Sequence, residues 1–554
     1  MITGAAIRQR NAAVLDVMRN HDLRMLQFGW GSFFLIEWTS LVALSVWAYE
    51  QSGASAIGVI GLARLLPGAI ALPFGALAAD RISRRVLVAG IFLSMAAIHA
   101  ALALAVATDA SAGVVYALVG LSSVVAAPYR PAHLALAPLL ARTPHELVAS
   151  NVTAGALEGL AAFAGPAIAG VVLLTASPWV VLAISAGAAA AGCLAVATIR
   201  PAMDPSKSVG SAHEGPVAAL AGGLRAMHRD ADMLLLVGCI IAQLFVRGLL
   251  TVLLTLLSFD LLDLGSSGVG WLAAAMGVGG IVGAGMTLAL TGRRELGIPF
   301  AFGLLLWGLP IALIGAVPEV AVAYAALAVI GIGNSLVDVS GMSLLQRLGN
   351  DRALGRIFGV LYALGIALAG LGSLLVPPAV DAFGLRPTLL VVGAVLPVVA
   401  IVALPKIRRL DQRSQPPAEE LDLITRIPLL APLPPTTLEK IAYRCSLREV
   451  PAGAIVITEG EVAGEFYAIA DGTLEVTQGG ARRNELARGD YFGEIALLRG
   501  STRMATVRAV TPARLLVLSK EDFLDCVTGS AAAHSVATRG VNDLLSLDAA
   551  NRAP

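Results

Sequence analysis

Glu494 and Arg503 stand nine residues apart in the run Tyr491-Phe492-Gly493-Glu494-Ile495-Ala496-Leu497-Leu498-Arg499-Gly500-Ser501-Thr502-Arg503-Met504-Ala505-Thr506-Val507. A carboxylate accepts hydrogen bonds from hydroxyls and repels anions, whereas a guanidinium donates a planar fork of N–H groups to phosphate oxygens. Together they suit a ligand with hydroxyls at one end and a phosphate ester at the other. Gly493 opens a stretch able to form one short helix, and the first N–H groups of a helix have no partner within it, so they offer a further seat for phosphate. No nucleophile, metal cluster or general base is placed for hydrolysis, so binding without catalysis is expected, with no metal.

A second set of ionisable residues lies where such residues are rare. Glu37, His99, Arg130, Glu158, Arg247 and Asp338 fall near the middle or inner part of long apolar runs. An Arg or Asp facing lipid at a helix centre costs roughly 2.5–3.5 kcal/mol on insertion scales, so these groups are expected to face a cavity or one another. Ion pairing that only locks helices together is the competing explanation. A transport and proton pathway is expected through Glu37, Arg130, Glu158, Arg247 and Asp338, with Glu37 and Glu158 as the acids that exchange protons.

The elements that must position these groups follow from composition. Of 554 residues, 57% are hydrophobic and 14% charged, too apolar for a soluble multidomain protein. Apolar stretches long enough to cross a bilayer recur near 24–49, 57–79, 86–107, 113–140, 148–174, 178–199, 233–260, 267–291, 297–316, 319–346, 355–379 and 384–404. They form two sets of six around the polar stretch from Arg200 to Asp232. Arg81, Arg84, Arg85, Arg142, Arg200, Arg225, Arg293, Arg294, Arg347, Arg352 and Lys406 fall on one side, against Arg386 on the other, which predicts that both termini are cytoplasmic. The N-terminal arginines precede an apolar run too long for a secretory signal, read as a retained first span. Net charge of +1 gives no overall pull toward nucleic acid, and four dispersed cysteines outline neither a disulfide framework nor a zinc site.

The chain is thus expected to divide into an N-terminal segment (1–22), a first six-helix half (23–199), a cytoplasmic loop (200–232), a second six-helix half (233–405), a linker (406–420) and a soluble domain (421–554). The linker is charged and holds Pro416 and Pro417. The domain opens with a helical pattern through Leu438, Ile441 and Ala442. It continues in short alternating strands with Gly453, Gly460, Gly472 and Gly489 at turn positions, the pattern of a jelly roll. Overall the predicted fold is an all-α bundle of twelve transmembrane helices followed by a β jelly roll flanked by helices.

The domain's motifs are Gly453, Glu459-Gly460-Glu461, Phe466-Tyr467-Ala468-Ile469 before Gly472, Gly489 to Glu494, and Arg503 to Val507. From about Leu421 to Leu547 the chain resembles the cyclic nucleotide-binding domain of catabolite-activator-type regulators, cAMP-dependent kinase regulatory subunits and cyclic-nucleotide-gated channels. The resemblance implies that Glu494 binds the ribose hydroxyl and Arg503 the cyclic phosphate, with the backbone of Ile495, Ala496 and Ala505 completing the cradle. Gly493, Met504 and Thr506 belong to the same set. Relatives that prefer cGMP often carry threonine where Met504 stands, so cAMP is the expected regulatory ligand ahead of cGMP. A lid helix is expected between Ala531 and Leu547. Catabolite-type regulators continue into a helix-turn-helix, for which the residues up to Pro554 leave too little, so no nucleic acid partner is expected.

The apolar portion carries its own motifs. Gly75-Ala76-Leu77-Ala78-Ala79-Asp80-Arg81-Ile82-Ser83-Arg84-Arg85 resembles the cytoplasmic loop of the major facilitator superfamily, with Ser83 where a second glycine is usual. This implies a gating role for Asp80, Arg81, Arg84 and Arg85. Pro128-Tyr129-Arg130-Pro131-Ala132, Pro138, Asn151, Glu158 and Gly165-Pro166-Ala167-Ile168-Ala169-Gly170 are similar to the superfamily's siderophore and macrolide efflux branch, over about Leu23 to Ile407. The resemblance implies a proton-coupled exporter of a small molecule in the cell membrane, an antiporter with the proton as coupling ion. Joined to the domain, it would be regulated by cyclic nucleotide. A membrane-anchored nucleotide receptor without transport and a lipid flippase are the alternative readings.

Overall fold

The computed structural model describes residues 18–81, 83–200, 222–225, 227–228, 230–287, 295–348, 351–413, 418–427, 429–430, 433 and 435–528. The chain forms two compact units, the first running to Gln412 and the second beginning at Arg413.

Helices make up the first unit: α1 (His21–Arg81), α2 (Arg84–Ala107), α3 (Ala112–Ala126), α4 (Tyr129–Leu140), α5 (Pro144–Val172), α6 (Pro178–Ala197), α7 (Ala231–Leu256), α8 (Gly265–Thr287), α9 (Gly297–Ala316), α10 (Val320–Leu348), α11 (Asp351–Phe383) and α12 (Leu385–Arg413). Among the described residues, eleven helical segments are long and apolar enough to cross a membrane. The first, His21–Leu72, is 52 residues long, enough for two crossings. It breaks at Ser52 and at Gly53, whose φ of 64° and ψ of −149° only a glycine adopts without strain. The expected runs 24–49 and 57–79 flank that break. α3 and α4 together make one crossing, with the turn between them at Ala127 and Pro128.

Polar side chains close the helix ends. Thr143 caps α5 by accepting from the Glu146 N–H, with Pro144 in the first turn. Asp230 accepts from Asp232 and Met233 at the start of α7. The start of α9 is capped from a distance: Asp411 on α12 accepts from the N–H groups of Leu296 and Gly297 at 2.8 Å each. A carboxylate facing a helix N-terminus also meets the positive end of its dipole.

Without a hydrophobic force between helices in lipid, close backbone approach through small residues holds such bundles together. A Cβ on Gly279 of α8 would sit 1.8 Å from the carbonyl oxygen of Ala328 on α10, and one on Gly331 would sit 2.0 Å from that of Met276. The same device joins the two sets of six. A Cβ on Gly270 (α8) would meet Gly170 (α5) at 2.5 Å, and one on Gly61 (α1) would meet the Ser373 hydroxyl (α11) at 2.5 Å. Near these contacts α7 ends in a π-helical turn, Leu257–Leu261. There Tyr49 stacks on Phe259 with ring centroids 4.2 Å apart and donates a hydrogen bond to the Asp260 carboxylate. At the end of the bundle that carries Gly53, the two halves are therefore in contact.

The second unit begins with α13 (Ala418–Arg426) and α14 (Pro435–Arg444) and continues as eight strands: β1 (Ser446–Val450), β2 (Ile455–Ile457), β3 (Glu465–Asp471), β4 (Leu474–Gln478), β5 (Ala481–Leu486), β6 (Tyr491–Phe492), β7 (Thr506–Ala509) and β8 (Ala513–Ser519). A short α15 (Glu494–Arg499) sits between β6 and β7, and α16 (Lys520–Thr528) follows β8. The strands form two antiparallel four-stranded sheets, ordered β1-β8-β3-β6 and β2-β7-β4-β5. Their crossed order is that of a jelly roll. Gly453, Gly460, Gly472 and Gly489 take φ of 84°, 86°, 94° and 93°, the left-handed turn geometry their spacing predicted. Phe466 stacks on Phe523 at 4.7 Å, fixing α16 against β3. Ile469, Leu474, Leu515 and Phe492 fill the space between the sheets.

The glycine contacts give a paired test. Gly279→Val must push α8 off α10 and should cost on the order of 3 kcal/mol. A Cβ on the neighbouring Gly280 meets nothing within 4 Å, and Gly280→Val should be tolerated. Thermal unfolding of the two variants in detergent should separate them clearly, and equal stability would contradict the packing described.

Candidate functional site

The carboxylate and guanidinium singled out in the second unit both turn inward. Gly493 precedes α15 in the left-handed conformation, φ 93° and ψ −6°, which lets the chain turn sharply from β6 into the helix. The guanidinium packs closely over this glycine: a Cβ there would lie 2.7 Å from Nη1 of Arg503. Glu494 and Arg503 are 7% and 5% exposed, and charged side chains are almost never buried to that degree without a purpose or a partner. Ala496 is buried beside them, Ile495, Met504 and Ala505 are half-buried, and Thr506 begins β7.

Arg503 is held from all sides. Its backbone N–H donates to Glu461 O, and its carbonyl accepts from Gly460 N–H, both at 2.8 Å. Its guanidinium donates to the carbonyls of Gly493 at 2.9 Å and Glu465 at 2.6 Å, over the Tyr467 ring. Two of five donors are thereby engaged, and the remainder are left for an anion. The supporting lattice was not legible in the sequence motif. Arg448 grips the Glu465 carboxylate with two bonds, 3.0 and 2.9 Å, and the Tyr467 hydroxyl donates to the same carboxylate at 2.5 Å. The Arg448 bonds hold the Glu465 carboxyl below its usual range, while burial pushes the Tyr467 hydroxyl up to about 12.

Glu494 is the opposite case. Burial raises its carboxyl to about 7, against the pull of its own backbone N–H and of Arg503. Its Oε2 is buried with no hydrogen-bond partner. An orphaned buried acceptor costs about 1–3 kcal/mol, so this oxygen is suited to a donor brought by a ligand. A sugar hydroxyl near Glu494 and a phosphate near Arg503 fit the residues present. The span Ala531 to Leu547, expected to hold the lid, lies outside the described residues.

In the first unit, four of the five expected pathway residues gather. Arg130 (α4) pairs with Glu158 (α5). Its guanidinium lies 5.6 Å from the Trp30 ring and 5.0 Å from the Phe34 ring, and Arg247 (α7) lies 5.9 Å from the Trp38 ring. Trp30, Phe34 and Trp38 repeat every four residues on α1, so they form one aromatic stripe. Asp338 (α10) is within electrostatic reach of Arg247, Glu158 and Arg130. It accepts from Asn334 at 2.8 Å, which in turn accepts from Gln243 at 3.1 Å. Arg130, Glu158 and Asp338 keep exposed surface although they lie in membrane-spanning helices.

Glu37 does not join them. It pairs with Arg64, farther along α1, at 2.8 Å. Arg64 was missed from the sequence although a single arginine in the apolar run 57–79 was itself the signal. Of the expected gating residues, Arg84 donates to Ala135 O at 3.0 Å and Arg85 to Ala197 O at 2.6 Å, so both bind carbonyls near the ends of neighbouring helices. The backbone of Asp80 and Arg81 ends α1, and their side chains lie outside the described residues.

Comparison with known proteins gives two family matches: the Major Facilitator Superfamily over residues 28–370 and the cyclic nucleotide-binding domain over 447–529. The chain belongs to the major facilitator superfamily and carries a cyclic nucleotide-binding domain; it is a multi-pass membrane protein. Among curated proteins it is 38% identical over 102 residues to a cAMP-dependent protein kinase regulatory subunit of Schizosaccharomyces pombe, covering 18% of this chain and 25% of that protein. It is 36% identical over 120 residues to the human potassium/sodium hyperpolarization-activated cyclic nucleotide-gated channel 3, covering 21% and 16%. The chain thus spans a quarter or less of the length of these relatives. Among solved structures, the nucleoside transporter NupG aligns with a TM-score of 0.59 at 11% identity, over 69% of this chain and 99% of that one. A POT family transporter aligns at 0.57 and 15% identity, over 70% and 96%. At such identities the likeness is one of fold.

The Glu494 environment sets a pH test on the full chain in detergent. A folded-state value raised to about 7 means that the ligand-free domain loses stability as pH rises from the ordinary carboxyl range through about 7. A hydroxyl donated to the ionised carboxylate offsets this, so cAMP affinity should rise between about pH 6 and pH 8 with proton release in calorimetry. Glu494→Gln should remove the pH dependence, and an affinity independent of pH in the unmodified chain would contradict the assignment.

Proposed function

We propose that the chain is a proton-coupled exporter of a small molecule whose access cycle is set by cAMP bound to its second unit. The observation that carries the regulatory half is the pair of buried side chains, Arg503 with spare donors and Glu494 with an unpartnered oxygen, at either side of Gly493. These are complementary to a ligand with a phosphate and a sugar hydroxyl in one rigid ring. The relatives named for cAMP-dependent regulation support the same ligand class. At position 504, methionine offers no hydroxyl to a guanine amino group, which favours adenine.

The transport half rests on the cluster Arg130, Glu158, Arg247 and Asp338. Opposite charges drawn from both sets of six lie within electrostatic reach of one another, and a bundle acting only as an anchor has no need of their cost. The cluster is the substrate site in this reading, with the aromatic stripe Trp30, Phe34 and Trp38 as one wall. The excess of basic residues in one set of loops supports the reading in which both termini lie in the cytoplasm, where cAMP is available, and the bundle spans the cell membrane.

For cAMP to bias transport it must bind one arrangement of the bundle more tightly than the other, and a tenfold preference supplies about 1.4 kcal/mol. Proteoliposomes with a pH gradient, offered a mixture of small amphiphilic metabolites and read by mass spectrometry, should move at least one compound against its gradient. The rate should change several-fold with cAMP in the unmodified chain and stay constant in Arg503→Ala. Transport that ignores cAMP while the nucleotide still binds would leave the exporter and discard its regulation.

A further inference from the structure

We infer that Asp411 is the contact through which the nucleotide-binding domain acts on the bundle: it fastens the end of α12, which leads into the second unit, to the start of α9, which packs beside Asp338. The inference rests on the proposed regulation by cAMP and names the place where that regulation enters the membrane helices. Asp411 stands two residues before Arg413, where the second unit begins. α12 is one helix from Leu385 to Arg413, so its last turns join the membrane span to that boundary. Lys406, Arg408 and Arg409 in these turns are exposed, whereas Asp411 is 3% exposed. It lies buried with Ala403, Ile407 and Leu410, a spacing that puts all four on one face of the helix.

That face closes on the start of α9. Oδ1 of Asp411 accepts from the N–H groups of Leu296 and Gly297, and Oδ2 accepts from Gly297 at 2.9 Å. Leu296 is the residue at the cap position and has no acceptor in its side chain, so the acid of α12 supplies what the local sequence lacks. Gly297 makes the approach possible, since a Cβ there would lie 2.7 Å from Ile407 and 2.8 Å from Oδ2 of Asp411. The first half is built differently at the matching place. Its third crossing, α2, opens at Ser83 with no side-chain cap, and Arg85 donates to Ala197 O at the end of α6 instead. The buried acid thus belongs to the half whose last helix leads into the second unit.

From the cap a continuous set of close contacts reaches the central charges. α9 and α12 lie against each other at Gly308 and Gly393, where an added Cβ would sit 2.2 Å from Pro397 and 2.3 Å from Ala312. Six residues beyond Gly297, roughly 9 Å along the helix, a Cβ on Gly303 would sit 2.9 Å from Val337 and 3.1 Å from the carbonyl oxygen of Gly333 on α10. Val337 precedes Asp338, and Gly333 precedes Asn334, which donates to the Asp338 carboxylate. Contacts this tight rearrange together, so a displaced α9 carries α10 with it. On the other side of the boundary, Arg514 of β8 grips the Glu419 carboxylate of α13 with two bonds, 3.0 and 3.1 Å. Leu423 and Ile424 of α13 share an apolar cluster with Ala496 and Leu497 of α15, the helix that follows Gly493. The cap has two states, made and broken. Removing a side-chain cap changes helix stability by an amount comparable to what a tenfold nucleotide preference supplies, so bound nucleotide is able to shift the balance between them.

The test follows backbone hydrogen exchange, by mass spectrometry, in the peptide that holds Leu296 and Gly297, using the full chain in lipid nanodiscs with cAMP as the added ligand. Nucleotide should change that exchange several-fold in the unmodified chain and leave it unchanged in Asp411→Ala, which should still bind cAMP. Asp411→Asn keeps an acceptor oxygen and should keep a smaller response, which guards against a misfolded alanine variant. A flexible Gly-Ser insertion of about ten residues between Gln415 and Pro416 should preserve the cap and abolish its response to cAMP. A response that survives in Asp411→Ala, or across the insertion, overturns the inference. If cAMP alters transport but not exchange at Leu296 and Gly297, regulation stands and this route fails. If cAMP binds and alters neither, regulation fails and the inference falls with it.

Discussion

A charge withdrawn from water must be neutralised, hydrogen-bonded or given up, and that constraint organises both units of this protein. In the bundle it draws Arg64 onto Glu37 and Arg130 onto Glu158, and it sets Asp338 among Arg247, Asn334 and the opposite half's pair. In the jelly roll it wraps Arg503 in the carbonyls of Gly493 and Glu465, with Arg448 and Tyr467 fixing the strand that supplies one of them. Glu494 is the exception, buried and short of a donor. Its unsatisfied oxygen makes the pocket incomplete by itself and gives a hydroxyl-bearing ligand its advantage.

Small residues supply what charges cannot, a way for rigid elements to meet in two arrangements. Gly170 against Gly270, and Gly61 against Ser373, bring the halves to backbone contact where a single methyl would hold them apart. Contacts of that kind form or separate as a unit, because a packed interface is bistable and does not stretch. The Tyr49–Asp260 hydrogen bond lies at the same end and depends on the π-helical turn that carries Asp260. Arg64, paired with Glu37, lines a small cavity at this seam together with Gly61 and Ser373.

Much of this was legible in the sequence because the underlying physics is local. Twelve apolar runs, the glycines at 453, 460, 472 and 489, and the short helix opened by Gly493 each follow from a few neighbouring residues. What escaped depends on contacts between distant segments. Nothing near Glu37 announces Arg64 as its partner, and the pathway set therefore included Glu37 with four groups it does not accompany. Nor does the motif around Arg503 reveal that Arg448 and Glu465 brace it, since those residues meet only when β1 and β3 flank β8. Burial likewise decides the state of Glu494: on sequence it reads as an ordinary carboxylate, and in the fold it titrates at about 7.

The central claim is that nucleotide binding and the arrangement of the bundle influence one another, and linkage requires that influence to be reciprocal. A disulfide formed between Tyr49→Cys and Asp260→Cys would hold the halves together at the Gly53 end. Calorimetric titration of cAMP into the full chain, before and after reduction of that bond, measures the coupling directly. The account predicts a Kd that changes several-fold when the bond is reduced, and by nothing in the same variant carrying Arg503→Ala, which should not bind. An identical Kd in the locked and released protein would contradict it.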